Sequence, residues 1–339
     1  MTLLFPKLKG VSQINNVLRV LYLSILVVIV AACGQPHNIY ENTDSVEAEV
    51  GDVRDVTILG SVLGGGFYSQ SSAIADLVNN RTNDLRVTVE ATSGGHQNAY
   101  ILENQHNAIG ITSAVAVSEF QEGDGFFPFQ AENLTIIAEA RPIQVHLVVR
   151  ESSSINSFSD LEGRIVNPGA RGSGTESIVP SILAPLGMSY EDFASVEYLA
   201  FGDAADAMSN GSVDAIFWIG DYPASSIQEM AVSTGIRLVS LTEEEQELLL
   251  ESSPFFDPIS IPGDAYGGDG DPTSTIEVPS LLIVNRNMPE DIVYSITKLL
   301  DENQERLGEA NQAINQWNIS GDVSDIADLH PGAARYYDE

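Results

Sequence analysis

From Val56 onward the chain alternates short apolar runs of strand length with segments whose apolar residues recur at helical spacing, and this alternation leaves few folds open. Val56 to Gly60 reads as a strand, Gly64-Gly65-Gly66 as a turn, and Ser69 to Asn80 as a helix with Ala73, Ile74, Leu77 and Val78 on one face. Leu85 to Ala91 alternates as a strand, Thr92 to Gly95 turns into a helix reaching about Asn104, and Ala108 to Thr112 forms a further strand. Strand followed by helix followed by strand predicts an α/β protein with parallel sheets built from βαβ units.

Two apolar runs, Ile136 to Ala140 and Val145 to Val149, flank Arg141-Pro142-Ile143-Gln144 and predict extended crossing segments. A second α/β series comes after them. Strands are expected at Arg164 to Val166, Val196 to Leu199, Val213 to Ile219 and Arg237 to Ser240, and helices at Thr175 to Leu186, Asp203 to Ser209, Ser225 to Thr234 and Glu243 to Glu251. Pro254 to Pro279, rich in Pro, Gly and Asp, reads as a long irregular return. Ser280 to Asn285 then gives a strand, Pro289 to Leu307 a long helix, and Gly308 to Glu339 a weakly patterned tail. No tandem repeat of solenoid period is present.

The N-terminal region has a different character. Lys7, Lys9 and Arg19 precede an apolar run from Val20 to Ala32 that ends in Val30-Ala31-Ala32-Cys33-Gly34. That run is too short to span a bilayer, and small residues before a cysteine suit a cleaved secretory signal. Cys33 is the sole cysteine, which excludes an internal disulfide. Its position resembles the lipobox of prokaryotic lipoproteins and implies lipidation at Cys33; a thiol left there by chance is the alternative. Gly34 to Asp52 lacks sustained periodicity and reads as a flexible acidic tether. The organisation expected is therefore a signal over residues 1–32, a tether over 33–52, and a folded remainder long enough for one large or two medium α/β domains.

Forty-eight acidic residues against fifteen basic ones give a net charge of −33, and Lys298 is the only lysine beyond the N-terminal region. Such a field repels nucleic acid and anionic membrane surfaces, so no nucleic-acid partner is expected. It also repels itself at low ionic strength. Screening lengths of about 3 Å in molar salt would relieve that repulsion, which points to a saline, marine or halophilic habitat, the alternative being the general acidity of secreted proteins.

The segment Asn167-Pro168-Gly169-Ala170-Arg171-Gly172-Ser173-Gly174-Thr175-Glu176 leaves a short apolar run and opens an amphipathic one. Backbone amides, two hydroxyls and one guanidinium there make either an anion cradle or an ordinary glycine-rich helix start. Gly169 and Gly174 have the spacing of a phosphate-binding loop, but Gly174 is followed by Thr175 with no lysine, which argues against a nucleoside triphosphate.

Several blocks in this order resemble the TAXI group of solute-binding receptors of tripartite ATP-independent periplasmic (TRAP) transporters. They are Gly64-Gly65-Gly66-Phe67-Tyr68, Val145 to Arg150, Gly169 to Glu176, Asp203 to Ala207, Val213-Asp214-Ala215, Tyr222-Pro223, Ile227-Gln228-Glu229, Val278 to Leu282 and His330 to Tyr337. The resemblance runs from about Thr57 to the C-terminus. It implies a periplasmic-binding-protein fold, two α/β lobes, the first from 53–144 plus 270–339 and the second from 145–269, closing by a hinge on a small organic anion such as glutamate, another amino acid, a dicarboxylate or a 2-oxo acid. It further implies delivery to a membrane permease, with no cofactor, no metal and no catalysis; a monomer is expected.

By position, the resemblance places ligand contacts on Gly65, Gly66, Phe67, Tyr68 and Ser69, on Arg171, Gly172, Ser173, Gly174 and Thr175, and on Tyr222. One block departs from the pattern. Where the group carries Gln-Ser-Asp, this chain has Ser113-Ala114-Val115, which leaves room for a more apolar or differently shaped ligand. Arg141 stands where the group has tyrosine and is read either as an added ligand cation or as part of an internal ion pair. Trp218 and Phe217 read as packing residues.

Catalytic readings find little support. His37, His96, His106, His146 and His330 have no metal-ligand spacing, and no Gly-x-Ser-x-Gly elbow surrounds Ser173. Asp264, Asp269 and Asp271 miss the spacing of an EF-hand and read as a solvated loop. A ligand-sensing or adhesive surface lipoprotein on the same scaffold is the alternative function.

Overall fold

Residues Leu281 and Ile283 belong to one cluster of buried side chains and Leu282 and Val284 to another, so this strand is covered on both faces, as in a sheet sandwiched between helices. The computed structural model describes residues 53–63, 65–123, 130–267, 270–304, 307 and 326–339. The signal, the tether, Cys33, Gly64 and Asp269 lie outside the described residues.

The strands are β1 (Arg54–Leu59), β2 (Leu85–Glu90), β3 (Ala108–Ser113), β4 (Leu134–Arg150), β5 (Ile165–Asn167), β6 (Ser195–Val196), β7 (Ala215–Gly220), β8 (Ile236–Leu238), β9 (Asp257–Ile261) and β10 (Thr273–Asn285). They form a mixed sheet in the order β2-β1-β3-β10-β4-β7-β5-β6, with β8 on β4 and β9 on β10. The helices are α1 (Gly66–Arg81), α2 (Gly95–Leu102), α3 (Ala114–Glu122), α4 (Gly174–Leu183), α5 (Phe201–Asn210), α6 (Ser225–Thr234), α7 (Glu243–Ser252), α8 (Glu290–Asp301) and α9 (Pro331–Tyr337).

The βαβ expectation holds on the flanks, where β1 pairs in parallel with β2 and β3, and β5 with β6 and β7. It fails at the centre. There β10 runs antiparallel to β3 and β4, and β4 runs antiparallel to β7. The two apolar runs read as separate segments are one strand, β4, which pairs with β10 as far as Gln144 and with β7 from Gln144 to Val149. Arg141 and Pro142 do not break it because they fall in a register shift between the pairs Ser280↔Ala140 and Val278↔Ile143, opposite Pro279. A proline that owes no ladder hydrogen bond is tolerated in such a bulge.

The region read as an irregular return also contains a strand pair, Thr273 to Glu277 against Asp257 to Ile261. Pro258, Pro262 and Pro272 hide the period-two signal there, since β9 is an outer strand on which proline is permitted. Helix α3 has no counterpart among the expected elements. Ala114 to Val117 are all buried, so no amphipathic stripe marks the helix start, but Ser113 caps it by accepting the Ala116 N–H and Gly123 ends it in a left-handed conformation at φ 69°.

Candidate functional site

Three loops leave the carboxyl ends of β1, β2 and β3, and Asn98 ties their roots together. Its Nδ2 donates to the carbonyls of Gly60 (2.7 Å) and Ile111 (2.8 Å), while its Oδ1 accepts from the Thr92 hydroxyl (2.7 Å), which in turn accepts the Gly94 N–H. Asn98 is fully buried, so these bonds are protected from water and hold the loops in register.

The helices beyond these loops start close together. Residues at the N-termini of α1, α2, α3 and α4 line one cavity of about 80 Å³. Gly65, Gly66 and Phe67 come from the start of α1, Ser93 to His96 from α2, Ser113 from α3, and Ser173, Gly174 and Thr175 from α4. Helices α1 and α2 are preceded by glycines with no side-chain cap, whereas Ser113 and Ser173 cap their own helices. Four helix dipoles with their positive ends toward one small space favour a negative charge there. Ile143, Ile178, Trp218 and Ile219 supply the apolar part of the wall.

The strand-order centre, β10 and β4, separates α1 to α3 on one side from α4 to α6 on the other, and contacts across the cavity join the sides. A β-carbon built on Gly94 would meet the Gly174 nitrogen at 2.9 Å, and one on Gly66 would meet Asp221 Oδ2 at 2.8 Å. Gln70 Nε2 donates to both Asp221 oxygens at 3.1 and 3.3 Å. Burial pushes the Asp221 carboxyl above its ordinary range, against the opposing pull of the Arg141 charge and the Gln70 hydrogen bond.

Ser177 Oγ lies 2.7 Å from His96 Nδ1, and His96 Nε2 lies 3.0 Å from Glu119 Oε2. These are the group types of a hydrolytic triad. The Ser177 hydroxyl, however, is buried outside the cavity lining and lies 2.9 Å from the Gly174 carbonyl, so the chain of bonds ties α4 to α2 and α3 and presents no nucleophile to the cavity. His146 is also structural. Its Nδ1 donates to the Gln144 carbonyl, leaving Nε2 to accept from Tyr266 at 2.8 Å, and burial lowers its pKa to about 4.

Seven of the residues expected to touch ligand line the cavity: Gly65, Gly66, Phe67, Ser113, Ser173, Gly174 and Thr175. Six lie elsewhere. Arg171 is exposed and stacks on Tyr198, its guanidinium carbon 3.8 Å from the ring centre, because the turn at Gly172 (φ 77°) carries it outward. The Gly172 N–H donates to the Glu176 carboxylate. Tyr68 is half-buried against Gly60, and Ser69 is exposed on the outer face of α1. Arg141 is buried and Tyr222 lies beside it, the guanidinium carbon 5.7 Å from the Tyr222 ring centre and one guanidinium N–H donating to the Tyr222 carbonyl; neither residue lines the cavity.

Ser61, Ser93, Gly94, Gly95, His96, Trp218 and Gly220 also line the cavity and are absent from the contacts expected by position. The signal for one group was present: Gly94-Gly95 comes after β2 as Gly65-Gly66 comes after β1, and both open helices. Trp218 packs edge-on against Phe201 (4.6 Å between ring centres) as expected, and also faces the cavity.

A mixed sheet with helices on both faces and a cavity at strand ends is an α/β architecture, and its fold is similar to that of periplasmic binding proteins. A solved structure described as a periplasmic transporter superposes with a TM-score of 0.54 at 12% identity, over 84% of this chain and 94% of that one. A Xanthomonas citri protein bound to ATP gives 0.50 at 15% identity, over 84% and 98%. An alkanesulfonate-binding protein from Xanthomonas axonopodis pv. citri, bound to MOPS, gives 0.48 at 14% identity, over 85% and 84%. Residues 58–339 match the NMT1-like family, and the chain belongs to that family. Among the described residues no helix is long and apolar enough to cross a membrane.

Proposed function

We propose that this chain is an extracytoplasmic solute-binding protein that captures a small organic anion and delivers it to a membrane permease of the TRAP type. The observation that carries the reading is the convergence of four helix N-termini on one cavity. Amides and dipoles so placed stabilise a carboxylate without an arginine or lysine in the wall. The site residues of the proposal are Ser61, Gly65, Gly66, Ser93, Gly95, Ser113, Ser173 and Thr175.

Residues 53–144 with 270–339 and residues 145–269 make up two lobes; β4 runs from the first into the second, β10 of the first pairs with β9 of the second, and these strands flex on closure. A ligand bridging α1 to α3 and α4 would favour the closed state, because it gains partners from both sides only there. The blocks resembling TAXI receptors support TRAP as the transporter class, and Cys33 supports a lipid anchor outside the cytoplasm.

The test is thermal unfolding of the protein in high salt against amino acids, dicarboxylates, monocarboxylates and 2-oxo acids. A ligand at a hundred times its Kd adds about 2.7 kcal/mol to stability and raises the midpoint. A rise with one acid that is lost in Ser113→Ala combined with Thr175→Val is the expected result. Absence of any rise across the panel would overturn the anion site.

A further inference from the structure

The cavity at the helix starts adjoins a second space. Val62, Gly65, Ser173, Thr175 and Trp218 line both it and a wider chamber of about 620 Å³. The two chambers differ in character. Leu63, Leu199, Phe201, Trp218 and Met230 make the wider one largely apolar, and Asp206 and Glu229 stand on its wall. Neither chamber is lined by an arginine or lysine among the described residues.

Resting on the anion-binding reading, we propose that the ligand is an extended monoacid, its carboxylate held at the four helix starts and an apolar body of phenyl size or larger filling the wider chamber. Size argues first. A water-sized void takes about 10–15 Å³, so a cavity of about 80 Å³ holds a carboxylate and a few neighbouring atoms and leaves the rest of a larger ligand outside.

Charge then selects the rest. The second carboxylate of glutamate or a dicarboxylate would lie in the wider chamber, where it meets Asp206 and Glu229 and no cation. An apolar body meets Leu63 and Phe201 instead. Val62 and Leu63 are 49% and 74% exposed, adjacent, and both on this wall; covering them with ligand removes apolar surface from water.

Isothermal titration calorimetry on the full chain with 2-oxo acids that share one head group tests this. Pyruvate, 2-oxoglutarate, 4-methyl-2-oxopentanoate and phenylpyruvate differ only in the group attached to that head. The expected result is that phenylpyruvate binds at least roughly tenfold more tightly than pyruvate or 2-oxoglutarate, with 4-methyl-2-oxopentanoate between them. Leu63→Ser and Phe201→Ser should each bring that ratio toward one. Leu63→Ser guards against misfolding, since so exposed a side chain contributes little to the core.

Tightest binding of 2-oxoglutarate would overturn the monoacid. A ratio unchanged in both variants would remove the wider chamber from the site. Pyruvate binding with no gain from an apolar body would sink this inference and leave the anion site standing, whereas no binding by any of the acids would sink both.

Discussion

Gly94 and Gly174 stand so close that a β-carbon on Gly94 would lie 2.9 Å from the Gly174 amide nitrogen, and Gly94 itself sits at φ 133°. Two helix starts from opposite sides of the sheet centre touch here backbone to backbone. Gly94→Ala should therefore cost about 1–3 kcal/mol of stability and also hold α2 and α4 apart, weakening the ligand. Gly172→Ala is the control, because Gly172 has φ 77° but nothing within 4 Å of the added carbon. Titration of both variants should show affinity lost in the first well beyond the second; equal affinities would mean that the glycine contact is irrelevant to closure.

Gln70 and Asp221 link α1 to the loop after β7, and the carboxylate is buried. Gln70→Leu deprives a buried charge of two hydrogen bonds and should destabilise by about 1–3 kcal/mol at neutral pH. The folded pKa of Asp221 is raised, so the folded state holds its proton more tightly than the unfolded chain does. The group's contribution is thus most favourable at acid pH and is lost as pH rises through the raised value. The Gln70→Leu penalty should consequently shrink toward acid pH, which denaturant unfolding of variant and wild type at matched pH measures directly.

His146 gives the opposite slope. Its folded pKa of about 4 lies below the ordinary 6.5 because burial excludes the charged form. The unfolded chain therefore binds the extra proton first, and the contribution of a neutral His146 is fully present above pH 6.5 and lost as pH falls toward 4. The difference amounts to roughly 3 kcal/mol. Histidine NMR titration should find this ring still neutral at pH 5; a midpoint near 6.5 would contradict the burial argument.

Arg171 separates what the chain's motifs suggest from what its folding does. With its guanidinium over Tyr198 and away from the cavity lining, Arg171→Ala should leave ligand affinity within about twofold and cost no more than about 1 kcal/mol of stability. Thr175→Val, which removes a hydroxyl from the wall, should lower affinity about tenfold. Reversal of that order in a binding assay would return Arg171 to the site.

Much of this was legible in the residues. The flanking βαβ units show in the alternation of periods, and the helix starts at Gly65-Gly66 and Ser173-Gly174 show as glycine and hydroxyl residues after strands. What stayed hidden is long-range. Nothing local to Pro142 says that Pro279 lies opposite it, so the prolines read as breaks although together they occupy one bulge in a continuous strand. The buried run Ala114 to Val117 carries no period because every side of α3 there is covered. The direction of Arg171 depends on the left-handed turn at Gly172, and the place of Gly94 in the cavity depends on α4 arriving from beyond the sheet centre.

The charge balance makes a last prediction about conditions. Some ion pairs, such as Arg54 with Asp291 (2.5 Å) and Arg86 with Asp55 (2.7 Å), are weakened by salt. Exposed pairs of this kind are each worth at most about 1 kcal/mol. Against them stands the mutual repulsion of a chain with forty-eight acids and fifteen bases, which salt also screens and in the stabilising direction. With acids more than three to one, the repulsion outweighs the pairs. The melting temperature should therefore climb as sodium chloride rises from millimolar to molar, and should still be climbing where the screening length drops from about 10 Å to about 3 Å. A melting temperature that is flat or falling over that range would leave the acidity without a saline explanation.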